Sequence, residues 1–357
     1  ITDYTTVANE QANIGCGPYK FVRFDADAGV VEFAAYEAYP DGVPVAKTVM
    51  LKLFDNADTM YMALKAGDVD MVYSYAGGVA TSVIEDLSAA KGIALMPVKD
   101  TSNTATFIFN NNMAPGNDEN VRKAVAAAID YTKCRELFGS SYSVASAAGF
   151  IPPGTYGYVE TPVLERDLTA AKDYLSVSGY SDTDGDGYVD KDGQKLSITV
   201  TLRSDKPEHA RYAELLRNNL KDVGIDLILD VQETAVFREI TERQRTQQAV
   251  ITKLTAYGMG MNQGLASLYI WGENRMSYGQ VYDEDYKALL DKADAASMDE
   301  YKTVAVEIQQ YYADHMPAIA LFWDSYVQAY SDRLEGFVVD GTFGYMNVQS
   351  WMNLIEK

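Results

Sequence analysis

From Thr106 to Asp130 the chain reads Thr-Phe-Ile-Phe-Asn-Asn-Asn-Met-Ala-Pro-Gly-Asn-Asp-Glu-Asn-Val-Arg-Lys-Ala-Val-Ala-Ala-Ala-Ile-Asp. Phe107 and Phe109 alternate around Ile108, which is typical of a largely buried strand. The polar residues, proline and glycine that follow end this strand, and Asp118 can then cap a helix. The apolar face of that helix consists of Val121, Ala124, Val125 and Ala128. The stretch therefore predicts a strand, a polar turn and a capped helix.

Strands and helices alternate in the rest of the chain as well. Before this stretch, the pattern predicts strands at 19–24, 30–35 and 47–54 and a helix at 57–65. From its helix onward, the pattern predicts helices at 119–138, 169–178, 207–223, 235–244 and 298–315, and strands at 196–202, 226–232 and 317–323. A chain of 357 residues exceeds what one hydrophobic core usually serves. We therefore expect an α/β fold with two lobes.

The charge balance limits the kinds of partner. Thirty basic and 51 acidic residues give a net charge of −21, which repels nucleic-acid phosphates and anionic lipids. No apolar run is long enough to suggest a membrane span. We expect neither nucleic-acid binding nor membrane insertion by this chain. The two cysteines, Cys16 and Cys134, are too few for a disulfide framework.

Six segments together resemble the bacterial extracellular solute-binding proteins, family 5, which deliver solutes to ATP-binding-cassette (ABC) importers. The stretch 106–130 resembles the family segment "hxhN...P..d..VRxAhxxAID". The other five segments occur in the family's order and are Ile14-Gly-Cys-Gly-Pro-Tyr-Lys-Phe, Ala63-Leu-Lys-Ala-Gly-Asp-Val-Asp, Ile151-Pro-Pro-Gly, Ala171-Lys-Asp-Tyr-Leu through Gly179-Tyr, and Met316-Pro-Ala-Ile-Ala-Leu-Phe. The resemblance covers nearly the whole chain.

This resemblance implies a two-lobed fold like that of periplasmic binding proteins, of type II and similar to cluster C, with a hinge. Lobe I would take residues 1–108, lobe II residues 109–322, and residues 323–357 would return to lobe I. In the family, the segment around Gly15 lies well inside the chain. We therefore expect the N-terminal part of lobe I and the satellite domain to be missing here. A naturally short relative is the alternative.

The function implied is that of a receptor subunit, which traps a peptide-like or other small solute between two lobes and docks on the membrane permease of an ABC importer. The resemblance also implies a monomer outside the cell, either periplasmic or lipid-anchored at the cell surface in its full-length form. Two alternatives stay open. One is a nickel or metal-chelate receptor of the same family, and the other is an adhesin or sensor module that presents its surface.

No catalytic motif appears in the sequence, so we predict that the chain is not an enzyme and requires no cofactor. His209 and His315 stand in helical contexts without a patterned partner. We expect both to be exposed or satisfied helix residues.

The loop 182–193 reads Asp-Thr-Asp-Gly-Asp-Gly-Tyr-Val-Asp-Lys-Asp-Gly. Carboxylates at positions 1, 3, 5 and 9, with glycine at 6, have the spacing of an EF-hand calcium loop. Gly193 stands at position 12, where that loop normally has a bidentate glutamate. One interpretation is a carboxylate-rich turn that caps local amides. The other is a structural calcium ion held by Asp182, Asp184, Asp186, Tyr188 and Asp190.

Peptide-binding members of the family usually carry an aspartate in a Trp-x-x-Asp-Tyr-x-Asp-Pro stretch, where it pairs with the ammonium group of the ligand. The corresponding stretch here, 255–275, has no acidic residue before Glu273, which makes free peptides less expected as ligands. Its thioethers, amide, aromatic rings and guanidinium suit a partly apolar ligand with a few directed hydrogen bonds. The predicted ligand contacts are Tyr257, Met259, Met261, Asn262, Tyr269, Trp271 and Arg275. The structural alternative is that Tyr269 and Trp271 fill the core of lobe II and that Arg275 lies at the surface.

Two further residues are candidate ligand contacts. Arg203 follows the strand 196–202, at the kind of strand end that opens on a crevice in α/β sheets. Trp323 lies at the predicted second crossing between the lobes. A structural alternative stands beside each: Arg203 can be solvated at the surface, and Trp323 can be buried at the hinge without a ligand.

Overall fold

The computed structural model describes residues 15–73, 78–153, 155–255, 267–339 and 344–357, except for the side chains of 99–103 and 255. The chain divides into two compact units. Unit 1 comprises Ile1–Val98 and Tyr326–Lys357, and unit 2 comprises Lys99–Ser325. Both boundaries fall inside long strands, Ile93–Phe109 and Ala318–Ser331. The lobe boundaries expected after residues 108 and 322 fall inside the same two strands.

The elements are numbered in chain order. The strands are β1 (Tyr19–Asp25), β2 (Val30–Ala35), β3 (Thr48–Lys52), β4 (Met71–Val72), β5 (Ile93–Phe109), β6 (Asp190–Lys191), β7 (Gln194–Lys195), β8 (Ser197–Arg203), β9 (Asp226–Gln232), β10 (Ala249–Thr255), β11 (Ala318–Ser331), β12 (Leu334–Glu335) and β13 (Ile355–Glu356). The helices are α1 (Ala57–Ala66), α2 (Thr81–Ala89), α3 (Glu119–Ala128), α4 (Tyr131–Phe138), α5 (Leu168–Val177), α6 (Pro207–Lys221), α7 (Thr234–Arg238), α8 (Glu284–Ala295), α9 (Met298–His315) and α10 (Val348–Asn353).

Unit 1 has a small core. Strands β1, β2 and β3 form an antiparallel sheet with β2 in the centre, and β4 pairs with the later part of β11. The buried side chains of this unit's core cluster are Tyr61, Leu64, Val72, Leu87 and Ala329. On the three-stranded sheet, by contrast, Phe24 and Met50 are 54% and 65% exposed. The apolar residues of β1–β3 are therefore only partly buried.

Unit 2 is built on a mixed sheet in which β8 runs parallel to both β9 and β10, while β5 runs antiparallel to β10. Residues of β5 and β11 contribute, mostly in alternation, to two separate apolar clusters. One cluster contains Phe107 and Phe322 and packs against α3, α5 and α6, and the other contains Ile108 and Trp323 and packs against α8 and α9. This alternation places one apolar layer on each face of the sheet.

The strand, turn and helix predicted from 106–130 are confirmed. The carboxylate of Asp118 accepts hydrogen bonds from the amides of Asn120 and Val121, which fixes the start of α3. The four residues predicted for its apolar face are fully buried. The single helix predicted at 119–138 is wrong, because Ile129 has an extended backbone and Asp130 caps a second helix, α4.

Most other predicted elements agree with the structure within a few residues. The helix predicted at 235–244 is only partly helical in the α sense, because α7 ends at Arg238 and a π-helical segment, Glu239–Gln244, follows it. The sequence patterns did not predict α2, α8 or α10. Within the described residues, no helix combines the length and apolar character that a membrane crossing requires.

Candidate functional site

Arg203 is the last residue of β8 and is held by a carboxylate of the following turn. Its Nε and Nη2 donate to the two carboxylate oxygens of Asp205, over 2.9 and 2.6 Å. These hydrogen bonds from Arg203 lower the pKa of Asp205 to about 2. The planar guanidinium is thus fixed at the end of the strand, with about a quarter of its side chain exposed.

Two other strands, β11 and β10, carry a buried carboxylate and a lysine that lie close together. Asp324 in β11 is 2% exposed, and its Oδ1 accepts a hydrogen bond from the Ser140 hydroxyl. The ammonium of Lys253, in β10, lies 3.6 Å from the other carboxylate oxygen of Asp324. This pair was not predicted from the sequence. The available signal was a charged residue directly after the apolar run that ends in Phe322 and Trp323.

His209 stands in the first turn of α6 and is 4% exposed. Its Nδ1 is buried and has no hydrogen-bond partner among the residues that the structure describes. Burial disfavours the imidazolium and lowers the pKa of His209 to about 4, while the negative charge of Glu208 acts in the opposite direction. The expectation of an exposed or satisfied histidine is therefore wrong for His209, because packing buries a ring nitrogen to which the described part of the chain offers no hydrogen-bond partner.

His315 behaves as expected. It lies at the end of α9, and its Nδ1 is 2.7 Å from a carboxylate oxygen of Glu119 in α3. The ring is partly exposed, so both water and the carboxylate can satisfy it.

Arg203, Asp205, His209, Lys253 and Asp324 form what we call the charged cluster. The positive charges of Arg203 and Lys253 both act on His209. Asp324 acts on Tyr212, one turn further along α6, and burial raises the pKa of that phenol. Because β8 and β10 are parallel, their C-terminal ends meet at the same edge of the sheet, where α/β proteins commonly bind ligands.

The predicted ligand-binding loop is only partly described. Tyr257, Met259, Met261 and Asn262 lie outside the described residues. Tyr269 is half-buried and stacks on Tyr278, with ring centroids 6.0 Å apart. Arg275 is exposed.

The two tryptophans proposed as ligand contacts pack inside unit 2. Trp271 is 8% exposed and contacts the rings of Tyr282 and Tyr286. Trp323 is 2% exposed, and its indole Nε1 donates to the carbonyl oxygen of Phe150. These contacts favour the structural interpretation of both side chains. A ligand contact by either one stays a prediction.

The acidic loop brings three of its carboxylates together. Oxygens of Asp182, Asp184 and Asp190 lie within 4.8 Å of one another. The same carboxylates accept backbone amides: Asp182 from Gly185 and Gly187, Asp184 from Asp186, and Asp190 from Thr183. The fourth predicted acidic ligand, Asp186, accepts the amide of Tyr188. The capping interpretation is therefore supported, and a calcium ion in this loop stays a prediction.

Comparison with known proteins finds relatives that are named as binding proteins for small solutes. The oligopeptide-binding protein AppA of Bacillus subtilis (strain 168) is 25% identical over 356 residues, which cover 96% of this chain and 62% of AppA. The nickel-binding periplasmic protein of Escherichia coli (strain K12) is 23% identical over 250 residues, which cover 68% of this chain and 45% of that protein. The chain thus spans about three fifths of the length of AppA and less than half of the nickel-binding protein.

Solved structures show the same fold. NikA from Brucella suis, in complex with Fe(III)-EDTA, superimposes with a TM-score of 0.79 at 16% identity, over 96% of this chain and 68% of NikA. This likeness confirms the predicted α/β fold of the periplasmic-binding-protein type. The sequence profile of the bacterial extracellular solute-binding proteins, family 5 Middle, matches residues 2–276, which is well over half of the chain, and the chain therefore belongs to this family.

Proposed function

We propose that this chain is the solute-binding part of a receptor that serves an ABC importer, and that the charged cluster receives an anionic group of the solute. The observation that carries the proposal is the buried Nδ1 of His209, which has no hydrogen-bond partner among the described residues and on which the positive charges of Lys206, Arg203 and Lys253 act. A buried polar atom without a partner costs free energy, and a bound ligand that supplies the partner removes this cost.

The chemical class of solute follows from the charges. A carboxylate is the anionic group expected for a peptide-like solute, and the relative AppA is an oligopeptide-binding protein. In residues 255–272 the sequence has no acidic side chain that could pair with an ammonium group. We therefore propose a peptide-like or other small acid whose amino group is absent, blocked or exposed to water.

A metal chelate is the second candidate. The nickel-binding relative and the complex of NikA with Fe(III)-EDTA support it, because a chelate of this kind presents carboxylates. In this case the charged cluster would bind carboxylates of the chelator rather than the metal. Asp205 is already occupied by Arg203, and Asp324 by Ser140 and Lys253, which makes these carboxylates poor metal ligands.

The proposed setting is outside the cytoplasmic membrane, either in the periplasm or at the cell surface by lipid anchoring of the full-length protein, with a membrane permease as partner. A monomer is proposed. A surface-presenting adhesin or sensor is the alternative from another class, and it would need no solute at the charged cluster.

Native mass spectrometry of the full-length protein, gently purified from its own host, tests the receptor proposal. We expect a retained small acid or chelate, identified from its mass after release. The matched control is the double variant Lys253→Met with Asp324→Asn, which removes both charges of the ion pair and should retain much less of the same molecule. A mass free of solute in the unmodified protein, even with peptides and chelates added, would favour the surface-presenting alternative.

A further inference from the structure

Four charged groups act on His209, and they come from the end of β8 and the turn after it, from α6 itself and from β10. Lys206, Arg203 and Lys253 are positive, and Glu208 is negative. Two carboxylates lie against two of these cations: Asp205 against Arg203, and Asp324, in β11, against Lys253.

The three cations that act on His209 oppose its protonation, and an anion that binds next to Lys253 offsets their effect. Protonation of His209 in turn adds a positive charge that attracts the anion, and it turns both ring nitrogens into donors. Burial is the main reason that His209 is neutral in the free protein, and a nearby anion opposes that effect of burial. Anion binding and proton binding at His209 therefore favour each other.

Lys253 can contact such an anion without losing Asp324. The ammonium nitrogen of Lys253 lies 3.6 Å from the Asp324 carboxylate, which is longer than a hydrogen bond. The ion pair therefore leaves the three N–H donors of the ammonium group available for strong hydrogen bonds to an anion. Asp324 is itself held by Ser140 and is almost fully buried. The carboxylate thus positions the lysine, while more than a quarter of the lysine side chain is exposed and can be reached by a solute.

We propose that solute capture is coupled to protonation of His209: an anionic group binds next to Lys253, His209 takes up one proton from solvent, and affinity for the anion increases as pH falls. This inference rests on the proposed function for the place where the anion binds. It adds a proton to the binding reaction and predicts that acidic solutes are captured more tightly in acidified surroundings.

The two histidines of the chain make a direct test possible. In protein labelled with 13C-histidine, His209 and His315 give separate NMR signals, assigned with the variant His315→Gln. The probe is N-acetylglycine, a carboxylate with a peptide-like amide, and its uncharged control is N-acetylglycinamide at equal ionic strength. We expect N-acetylglycine to raise the pKa of His209 and the amide to leave it unchanged, while His315 reports no change with either compound.

Two variants separate charge from packing. The double variant Lys253→Met with Asp324→Asn should abolish the response of His209 to N-acetylglycine without leaving a buried unpaired charge. Lys253→Arg should retain the response, because it keeps the positive charge. The His315 signal reports whether each variant is folded.

Calorimetry of N-acetylglycine binding between pH 5 and pH 7 provides the second readout, with proton uptake measured from buffers of different ionisation enthalpy. Binding without proton uptake, or no binding of N-acetylglycine at tens of millimolar, would overturn the inference. If a native solute is retained but His209 does not respond, the receptor proposal stands and the proton coupling fails. If His209 responds but no native solute is found, the coupling stands and the receptor proposal is weakened.

Discussion

At the scale of single residues, burial decides what the charged groups of this chain can do. Arg203 was predictable as a candidate because it follows an alternating strand, and the structure adds its partner, Asp205. Lys253, Asp324 and His209 could not be assigned from sequence, because each lies more than 40 positions from the others in the chain. A lone histidine in a helix pattern gives no sign of whether its ring nitrogens meet water or apolar side chains.

The buried imidazole predicts a specific acid sensitivity. The pKa of His209 is about 4 in the folded protein, below the ordinary value of 6.5, so the unfolded chain binds more protons below pH 6.5. Its contribution to stability is constant above that pH and is lost as pH falls from 6.5 towards 4. At pH 5 the loss amounts to about 2 kcal/mol relative to pH 7.

Urea unfolding at pH 7 and pH 5 measures this effect. We expect His209→Gln to lose about 2 kcal/mol less than the unmodified protein between the two pH values, because glutamine does not titrate. Both proteins retain His315, the other histidine of the chain, so the difference between their pH dependences belongs to His209. If His209→Gln and the unmodified protein lost the same free energy of unfolding between pH 7 and pH 5, the folded protein would not exclude protons from this ring.

The acidic loop carries a second prediction at this scale. If Asp182, Asp184 and Asp190 hold a structural calcium ion, 1 mM CaCl2 should raise the thermal midpoint relative to EGTA, and Asp184→Asn should abolish the increase. Because position 12 is Gly193, we expect weak binding, with a Kd on the order of 10⁻⁴ M or higher. Magnesium chloride at equal concentration controls for ionic strength. Equal thermal midpoints in calcium and in EGTA would exclude a bound calcium ion and leave only the capping interpretation.

At the scale of elements, local signals predicted the existence of most helices and strands but not every boundary. The period of apolar residues continues from α3 into α4, and so the sequence predicted one helix. The backbone is extended at Ile129, and Asp130 starts a new helix by accepting the amide of Lys133. Periodicity carries no information about such a break, because the apolar residues on both sides of it enter the same core.

The cap of α3 gives a stability prediction. Asp118 accepts two helix amides and the hydroxyl of Ser178, which follows α5, so it joins two helices of unit 2. We expect Asp118→Ala to lower the free energy of unfolding by about 1 to 2 kcal/mol, as measured in urea. Asp118→Asn keeps an acceptor oxygen and should cost less than half as much. Equal losses in the two variants would indicate that charge, rather than the cap, is responsible.

At the scale of the whole molecule, the sequence predicted two lobes, an α/β fold and the family, because length, element order and six spaced segments are global signals. The sequence could not predict how the folding free energy is divided between the two units. In unit 2 both faces of the sheet are covered by apolar layers, whereas in unit 1 the described core is small and side chains of the β1–β3 sheet remain exposed. Apolar burial is the main source of folding free energy, and its amount differs between the units.

The difference in apolar burial predicts that the two units unfold locally at different free energies. Strands β2 and β8 are a matched pair, because each has a hydrogen-bonded neighbour strand on both sides. In hydrogen exchange followed by mass spectrometry, we expect amides of β2 to exchange at least about 100-fold faster than those of β8, because unit 1 opens at a lower free energy. Because both strands have neighbours on both sides, the comparison is free of the fast exchange of unpaired amides at sheet edges. Equal protection of β2 and β8 would mean that the chain unfolds as one cooperative body, and that the small core of unit 1 does not set its stability.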